Sequence, residues 1–295
     1  LRFPSALCEP MAAWDRERPE YRVRTALISD IHGNLEALET ILEDIGRRGV
    51  DETICLGDIV GYGPNPIECV DLVAERCSWS LMGNHDFAVL YEPTNFNVVA
   101  KDAAHWTRDV LEEAVEKDPV SGNRRLEFLN RIKTRKCHEQ IYTCVHGSVR
   151  KPINEYLFDD DIRDDPAKVR RIFEMIDDRC LVGHTHVPGV FVYTEADGPD
   201  FMRPSSLGNE DPNDPTLIGI HEFHPDEKAI VNPGSVGQPR DQNDRASYAI
   251  LETNDDAPHR VHFYRLEYDI SAVADKIYAI DRLDDWLGDR LFQGR

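Results

Sequence analysis

The sequence lacks the long apolar runs that mark membrane proteins. No stretch of its 295 residues approaches the ~20 apolar residues that a membrane-spanning helix needs. Residues 1–24 also lack the apolar core of a signal peptide and carry several charges instead. The seven cysteines include no CxxC pair, so the pattern of a zinc ribbon is missing. We therefore expect a cytoplasmic protein, with residues 1–20 as a tail that is disordered or not native to it.

Positive charge is scarce as well. Aspartate and glutamate number 55 against 34 lysines and arginines, which gives a formal net charge of −21. Binding to long nucleic acid or to an anionic membrane surface depends on Lys and Arg. The charge therefore argues against both of these partners, and the composition predicts no particular oligomeric state.

The remaining chain is expected to form one globular domain over residues 21–295. Hydrophobic residues make up 41% and charged residues 30% of the sequence, as is usual for globular proteins. No change in composition divides the chain into two units. We predict that residues 87–135 are largely helical and that residues 195–216 form a long surface loop. Both segments are expected to wall the substrate site.

Polar residues follow short apolar segments at five places along the chain. Each segment is typical of a buried strand, and each is followed by a glycine-containing turn. Ligands of layered α/β proteins bind beyond the carboxyl ends of strands, so these turns are expected to converge. The five sets are Asp30-Ile31-His32, Gly57-Asp58, Gly83-Asn84-His85-Asp86, His146-Gly147 and Gly183-His184-Thr185-His186.

The donor groups in these turns predict a metal centre. The donors are carboxylate, amide and imidazole groups, which together suit Mn, Fe, Zn or Ni. They do not form a thiolate site. Seven donors with this much imidazole are too many for one ion, whereas two ions that share a carboxylate would have four protein ligands each. The candidate ligands are Asp30, His32, Asp58, Asn84, His146, His184 and His186.

Each motif on its own also has an ordinary structural interpretation. A single Asp-x-His or Gly-Asp sequence is common in turns, and Asn and Asp serve many turns without binding anything. The prediction therefore rests on the occurrence of all five motifs in order. The acidic residues 159–165 lack the ligand spacing of a calcium loop and are expected to be solvated or to lie at a helix N-terminus.

Together these motifs resemble those of the calcineurin-like metallophosphoesterases, over residues 24–251 or so. The segments 57–64 (GDIVGYGP) and 232–240 (NPGSVGQPR) are similar to one bacterial and archaeal branch of predicted phosphatases and phosphodiesterases. The resemblance implies an α/β fold, a four-layer α/β/β/α sandwich with two mostly mixed β-sheets flanked by helices. It also implies a metal-dependent phosphoester hydrolase.

The resemblance assigns a role to each candidate residue. A hydroxide that bridges two metal ions would attack phosphorus in line, and His85 would face the substrate and protonate the leaving group. The substrate would be a phosphorylated small molecule, a nucleotide or a phosphoprotein, as a monoester or a diester. The implied ligands are Asp30, His32 and His186 for the first ion, Asn84, His146 and His184 for the second, and Asp58 for both.

The sequence departs from the protein phosphatase branch of this family at two points. The Asp that orients the donor histidine there is missing after Gly57-Asp58, and Asp86 is our candidate for a catalytic role beside His85. The Arg that follows the histidine there is also missing, so Arg240 is the candidate phosphate-binding residue, together with Asn84. Tyr62 and Asn65 are weaker candidates to line the pocket.

A protein that keeps this fold but only binds a partner is the alternative function. Non-catalytic members tend to lose metal ligands or the donor histidine. This chain retains all seven candidate ligands and His85, which favours an enzyme.

Overall fold

The computed structural model describes residues 22–207, 213–255 and 257–295. The predicted tail, residues 1–20, lies outside the described residues, as does part of the predicted loop 195–216. Twelve strands and the helices that cover them account for most of the described chain.

The strands form two sheets of six strands each. The first has the order β3-β2-β1-β11-β12-β9 and the second the order β4-β5-β6-β10-β7-β8. Both sheets are mixed. In the first, β1, β2 and β3 run parallel while β11 pairs antiparallel with β1 and β12. In the second, β5, β6 and β10 run parallel while β4 and β7 pair antiparallel with their neighbours. The strands are β1 (Arg22–Ile28), β2 (Glu52–Cys55), β3 (Trp79–Ser80), β4 (Arg135–His138), β5 (Tyr142–Val145), β6 (Arg179–Leu181), β7 (Gly189–Thr194), β8 (Gly198–Met202), β9 (Leu217–Glu222), β10 (Lys228–Asn232), β11 (Ala246–Asn254) and β12 (Arg260–Leu266).

The helices begin where the sequence supplies N-terminal caps. Asn34 accepts a hydrogen bond from the backbone of Ala37, as predicted for the start of the first helix, and Asp165 caps a later helix in the same way. The helices of the described residues are α1 (Leu35–Arg47), α2 (Pro66–Arg76), α3 (Asn84–Leu90), α4 (Val98–Lys117), α5 (Pro119–Arg131), α6 (Asp161–Asp164), α7 (Pro166–Glu174), α8 (Ile270–Tyr278) and α9 (Trp286–Asp289).

Three apolar layers hold the sheets and helices together. Successive side chains of a strand point to opposite faces, so Ala26 and Ile28 of β1 pack against helices α1 and α2 while Leu27 faces the other sheet. The layer between the sheets joins Leu27 to residues of β5, β6 and β10. On the far side, Ile172 and other residues of α7 cover the second sheet. The predicted α/β/β/α sandwich is confirmed.

The second sheet contains two strands that we did not predict. Strand β8 and a short 3₁₀ turn at Pro204–Ser206 lie within residues 195–216, where we predicted a long surface loop, so that prediction is wrong for these residues. Strand β4 was likewise not expected. Both form edges of their sheet. Their sequences, GPDFM and RKCH, contain the polar residues and proline that are tolerated at an edge and obscure the strand pattern.

Among the described residues, the helices are too short or too polar to cross a membrane. Helices α3, α4 and α5 occupy most of residues 84–131. The acidic residues 159–165 lie at α6 and at the cap of α7, and several pair with basic groups, as Asp161 does with Lys168 at 2.6 Å.

We expect Leu27→Ala to lower the free energy of unfolding by about 2–5 kcal/mol, because it leaves a cavity between the two sheets. The side chain is fully buried in the central region of the first sheet. Val98→Ala serves as the control, because Val98 is 73% exposed and a surface change of this kind stays within about 0.5 kcal/mol. Urea denaturation of both variants measures the difference. Equal losses in the two variants would contradict this description of the core.

Candidate metal centre

The predicted ligands meet at the carboxyl ends of strands from both sheets. Their turns follow β1, β2, β5 and β6, and one ligand opens helix α3. Each of the seven side chains is at most 8% exposed. The structure thus brings together Asp30, His32, Asp58, Asn84, His146, His184 and His186.

Asp30, His32 and His186 form the first group. Their donor atoms lie within 4.8 Å of one another. His186 Nε2 is 3.2 Å from Asp30 Oδ1 and also 3.2 Å from His32 Nε2. Two imidazole nitrogens and a carboxylate oxygen that face each other at these distances are a donor set that suits one transition-metal ion.

Asp58, His146 and His184 form the second group, again with donor atoms within 4.8 Å of one another. His146 Nε2 is 3.2 Å from Asp58 Oδ2 and 3.3 Å from Asn84 Oδ1. The same Asp58 oxygen is 3.7 Å from His32 Nε2 of the first group. Asp58 therefore lies between the two groups, where a shared ligand is expected.

The hydrogen bonds around the histidines fit metal binding. His146 Nδ1 lies 2.9 Å from the carbonyl of Leu56, and His186 Nδ1 lies 2.5 Å from the carbonyl of Gln238. Donation of Nδ1–H to these carbonyls leaves the Nε2 lone pairs directed at the group, as in many metal sites. His184 Nε2 is buried and has no hydrogen-bond partner within the described ranges, so an ion would satisfy it.

The charges of the cluster stabilise one another. Burial raises the pKa of Asp30, but attraction to His186 outweighs it and holds that pKa well below its usual value. Burial also raises the pKa of Asp58, but attraction to His146 outweighs this effect and lowers the pKa. Burial lowers the pKa of His146, yet Asp58 raises it to about 9 overall. Both carboxylates are therefore ionised at neutral pH and attract cations.

The backbone of the ligand turns has an unusual conformation. Five of the seven candidate ligands have a φ in the left-handed region, which disfavours residues other than glycine. Such strain is typical of functional sites that the surrounding structure holds in place. The five are Asp30 (φ 55°), His32 (φ 52°), Asp58 (φ 54°), His184 (φ 70°) and His186 (φ 61°).

Two of the glycines in the motifs permit close approach between turns. A Cβ atom on Gly83 would lie 2.0 Å from Asp58 Oδ1, and one on Gly183 would lie 2.8 Å from Asp30 Oδ2. Neither glycine has a positive φ. Left-handed φ values occur instead at two glycines directly beside ligands, Gly33 (φ 64°) and Gly57 (φ 105°), as well as at five of the ligands themselves.

The segment after β10 connects the ligand turns of the two sheets. Asn232 Nδ2 donates hydrogen bonds to the carbonyl of Gly183 at 2.7 Å and to Thr185 Oγ1 at 2.9 Å. Ser235 Oγ donates to the carbonyl of Asp30 at 2.8 Å. The segment therefore fixes the turn of Asp30 relative to the turn of His184 and His186. This explains the NPGSVGQPR motif, to which the sequence alone assigned no structural role.

The structure corrects the predicted catalytic role of Asp86. Its carboxylate is fully buried and accepts hydrogen bonds from the backbone of Gly83 and of residues 58–60, at 2.9–3.2 Å. These contacts hold the turn that presents Asp58. The carboxylate is thereby committed to backbone N–H groups and does not orient His85.

His85 lies beside the cluster without belonging to the predicted ligands. Its ring contacts those of His32, Tyr62 and Phe96, with centroids 4.2–4.8 Å apart. Its Nδ1 is buried against Gly61 and lacks a hydrogen-bond partner in the part of the chain that the structure describes. Burial lowers the pKa of His85 to about 4, with Asp58 opposing and Arg240 adding to the shift.

Arg240 lies at the same centre. Its backbone N–H donates to the carbonyl of His186, and its guanidinium donates to Gln238 Oε1 at 2.8 Å. Burial raises the pKa of the Tyr62 and Tyr156 hydroxyls, and the positive charge of Arg240 opposes this shift in both. A guanidinium near two hydroxyl groups beside the metal ligands is suited to phosphate.

Sequence reasoning missed Tyr156 and misplaced Asn65. The ring of Tyr156 stacks on His184, with centroids 3.8 Å apart, but nothing in the sequence around Tyr156 distinguishes it from an ordinary loop residue. Asn65 lies at the start of α2, where its Oδ1 accepts a hydrogen bond from Lys276 of α8. Asn65 therefore lies outside the group of ligands.

We expect Gly83→Ala to reduce metal binding at this centre at least tenfold. The added Cβ would overlap Asp58 Oδ1 and displace the carboxylate that lies between the two groups. Gly46→Ala is the matched control, because its Cβ would meet nothing within 4 Å. Isothermal titration calorimetry with Mn²⁺ compares the metal affinity of the two variants. Unchanged binding in Gly83→Ala would contradict the position assigned to Asp58.

Comparison with known proteins supports a common origin for this arrangement. An uncharacterized protein of Methanocaldococcus jannaschii is 38% identical over 282 residues, which cover 92% of this chain and 98% of that protein. The crystal structure of a metallophosphoesterase from Sphaerobacter thermophilus is 36% identical, with a TM-score of 0.73 over 93% of this chain and 100% of that one. The model of the calcineurin-like phosphoesterase family matches residues 23–188, and the chain belongs to this family.

Proposed function

We propose that the protein is a hydrolase of phosphoesters that uses two transition-metal ions. The observation that carries the proposal is the meeting of seven buried donor side chains at one centre, where Asp58 Oδ2 lies 3.2 Å from His146 Nε2 of one group and 3.7 Å from His32 Nε2 of the other. Asp30, His32 and His186 would hold the first ion. Asn84, His146 and His184 would hold the second.

The donor set is compatible with Mn, Fe, Zn or Ni, because carboxylate, amide and imidazole groups suit all four. When bound, such a pair of ions supplies a water-derived nucleophile for in-line attack at phosphorus and neutralises the phosphoryl oxygens. The protein contributes buried ligands that its backbone holds in place.

His85 is the proposed proton donor to the leaving group. Because its Nδ1 is enclosed against Gly61, Nε2 is the atom that is available to a substrate. In the free protein burial lowers the pKa of His85, and the charge of Arg240 adds to this shift. A bound phosphoester anion offsets that charge and favours the protonated imidazole. Proton donation by a positioned histidine is a common means of assisting a leaving alkoxide.

Arg240 is the proposed phosphoryl-binding residue, together with Asn84. Arginine forms paired hydrogen bonds with phosphate oxygens. Its contact with Gln238 holds it in the segment that also fixes His186. The substrate would be a mono- or diester of a small molecule, a nucleotide or a phosphoprotein.

We expect the wild-type protein to bind two metal ions per chain, and His32→Ala and His184→Ala each to retain about one. Asp58→Asn should lose more than either, because Asp58 lies between the groups. Elemental analysis after metal loading and desalting gives the stoichiometry. His105→Ala on α4, away from these groups, is the control and should keep two ions. A wild type that binds only one ion, and loses it in both His32→Ala and His184→Ala, would contradict the dinuclear proposal.

We expect His85→Ala to lower the rate of hydrolysis of an alkyl phosphate such as glycerol 2-phosphate by about 10²–10⁴-fold while the metal content stays intact, since the variant removes only the group that protonates the leaving alkoxide. Initial rates of the Mn²⁺-loaded protein with glycerol 2-phosphate and with p-nitrophenyl phosphate, whose phenolate leaves without a proton, measure the effect. The His105→Ala variant should match the wild type.

Two results of the same assay would overturn the proposed function. A metal-free protein that keeps full activity would exclude metal-dependent hydrolysis. A metal-loaded wild type that hydrolyses neither ester would favour a protein that uses the fold only for binding.

A further inference from the structure

A large cleft opens directly beside the metal centre. It has a volume of about 690 Å³ and is lined by Asn84 and His184, two of the candidate ligands. Residues 94–96 and 150–158 provide further lining, together with residues of α7. Its volume falls within the range of sites that enclose whole small molecules. Part of a substrate beyond the reacting phosphoryl group can therefore occupy it.

The charge of this cleft is opposite to that of the chain as a whole. Acidic residues outnumber basic ones by 55 to 34 in the sequence. In the cleft, basic side chains predominate. Its charged lining residues are Arg150, Lys151, Lys168 and Arg171, against Glu155 and Asp165.

Two of the four cations already have acidic partners. Arg150 lies 3.4 Å from Glu155, which also accepts a hydrogen bond from Ser148. Lys168 pairs with Asp161 at 2.6 Å. Asp165, the second acidic residue of the cleft, caps α7 by accepting the backbone N–H of Lys168. These contacts account for both acidic groups.

Lys151 and Arg171 remain without an ion pair in the described parts of the chain. An anion that enters the cleft would therefore meet two cations and would break no existing pair. The preceding residue of α7, Arg170, lines a different cavity, together with Glu174. The direction of Arg171, and not only its presence on the helix surface, brings its charge into the cleft that borders the metal centre.

We propose that Lys151 and Arg171 bind a second anionic group of the substrate, so that the preferred substrates are phosphoesters that carry a further phosphate. A nucleotide with two phosphate groups has this chemistry and the corresponding size. The inference rests on the proposed function, because it assumes that the metal centre holds the reacting phosphoryl group. Among the substrates considered above, the inference favours small phosphorylated molecules that carry two anionic groups.

The test compares two substrates in the Mn²⁺-loaded protein and its variants. p-Nitrophenyl phosphate has one phosphate, and a nucleoside 3′,5′-bisphosphate has two. We expect the double variant Lys151→Ala/Arg171→Ala to lower kcat/KM for the bisphosphate at least tenfold, through KM and not through kcat. The same variant should change kcat/KM for p-nitrophenyl phosphate less than twofold.

The matched control is Lys117→Ala/Arg170→Ala, which removes the same two charges from exposed sites outside the cleft. It should leave both substrates unaffected, which separates the cleft from the overall charge of the protein. Thermal unfolding of both double variants checks that the fold is retained, as expected for exposed side chains.

The outcomes separate this inference from the proposed function. If the wild type hydrolyses neither substrate, both fail together. If it hydrolyses p-nitrophenyl phosphate but has no preference for the bisphosphate, or if the cleft variant and the control lose equal activity, only the inference fails. Selective loss in the cleft variant would support it.

Discussion

The buried carboxylate of Asp58 is the interaction on which the rest of the site depends. An ionised carboxylate inside a protein is costly unless opposite charge and hydrogen-bond donors surround it. Here His146 contacts one oxygen, and the backbone N–H of His85 donates to the other at 2.8 Å. These contacts fix the carboxylate between two groups of imidazoles. Bound cations would offset the negative charge that remains on this buried carboxylate.

Fixing those donors requires a backbone conformation that the chain would not adopt by itself. A left-handed φ costs a residue other than glycine roughly 1–2 kcal/mol, and five candidate ligands adopt one. Asp86 offsets part of this cost by accepting four backbone N–H groups around the turn of Asp58. Asn232 and Ser235 do the same for the turns of the other sheet and of β1. Residues outside the set of candidate ligands therefore determine the geometry of those ligands.

The sheet architecture explains how much the sequence could predict. Parallel strands bring their carboxyl ends to one edge, so polar residues at five strand ends predicted the convergence of the ligand turns, while the four-layer fold was implied by the resemblance to the calcineurin-like metallophosphoesterases. The central strands are apolar and were recognised from that pattern. Strands β4 and β8 were missed because each pairs on one side only and tolerates polar residues. Local sequence identifies a strand when burial dictates its composition, and burial is incomplete at an edge.

The contacts between side chains of the site were less predictable, for a related reason. Asp86 follows His85 in the sequence, but adjacent residues of a helix project in different directions, so its carboxylate reaches the turn after β2 instead of the imidazole. Tyr156 and Arg240 come from irregular segments, where no periodicity indicates direction, yet both lie at the centre. Strand ends thus fix which residues can bind metal. The loops determine what surrounds the metal centre, and selectivity among phosphoesters should follow from their sequences.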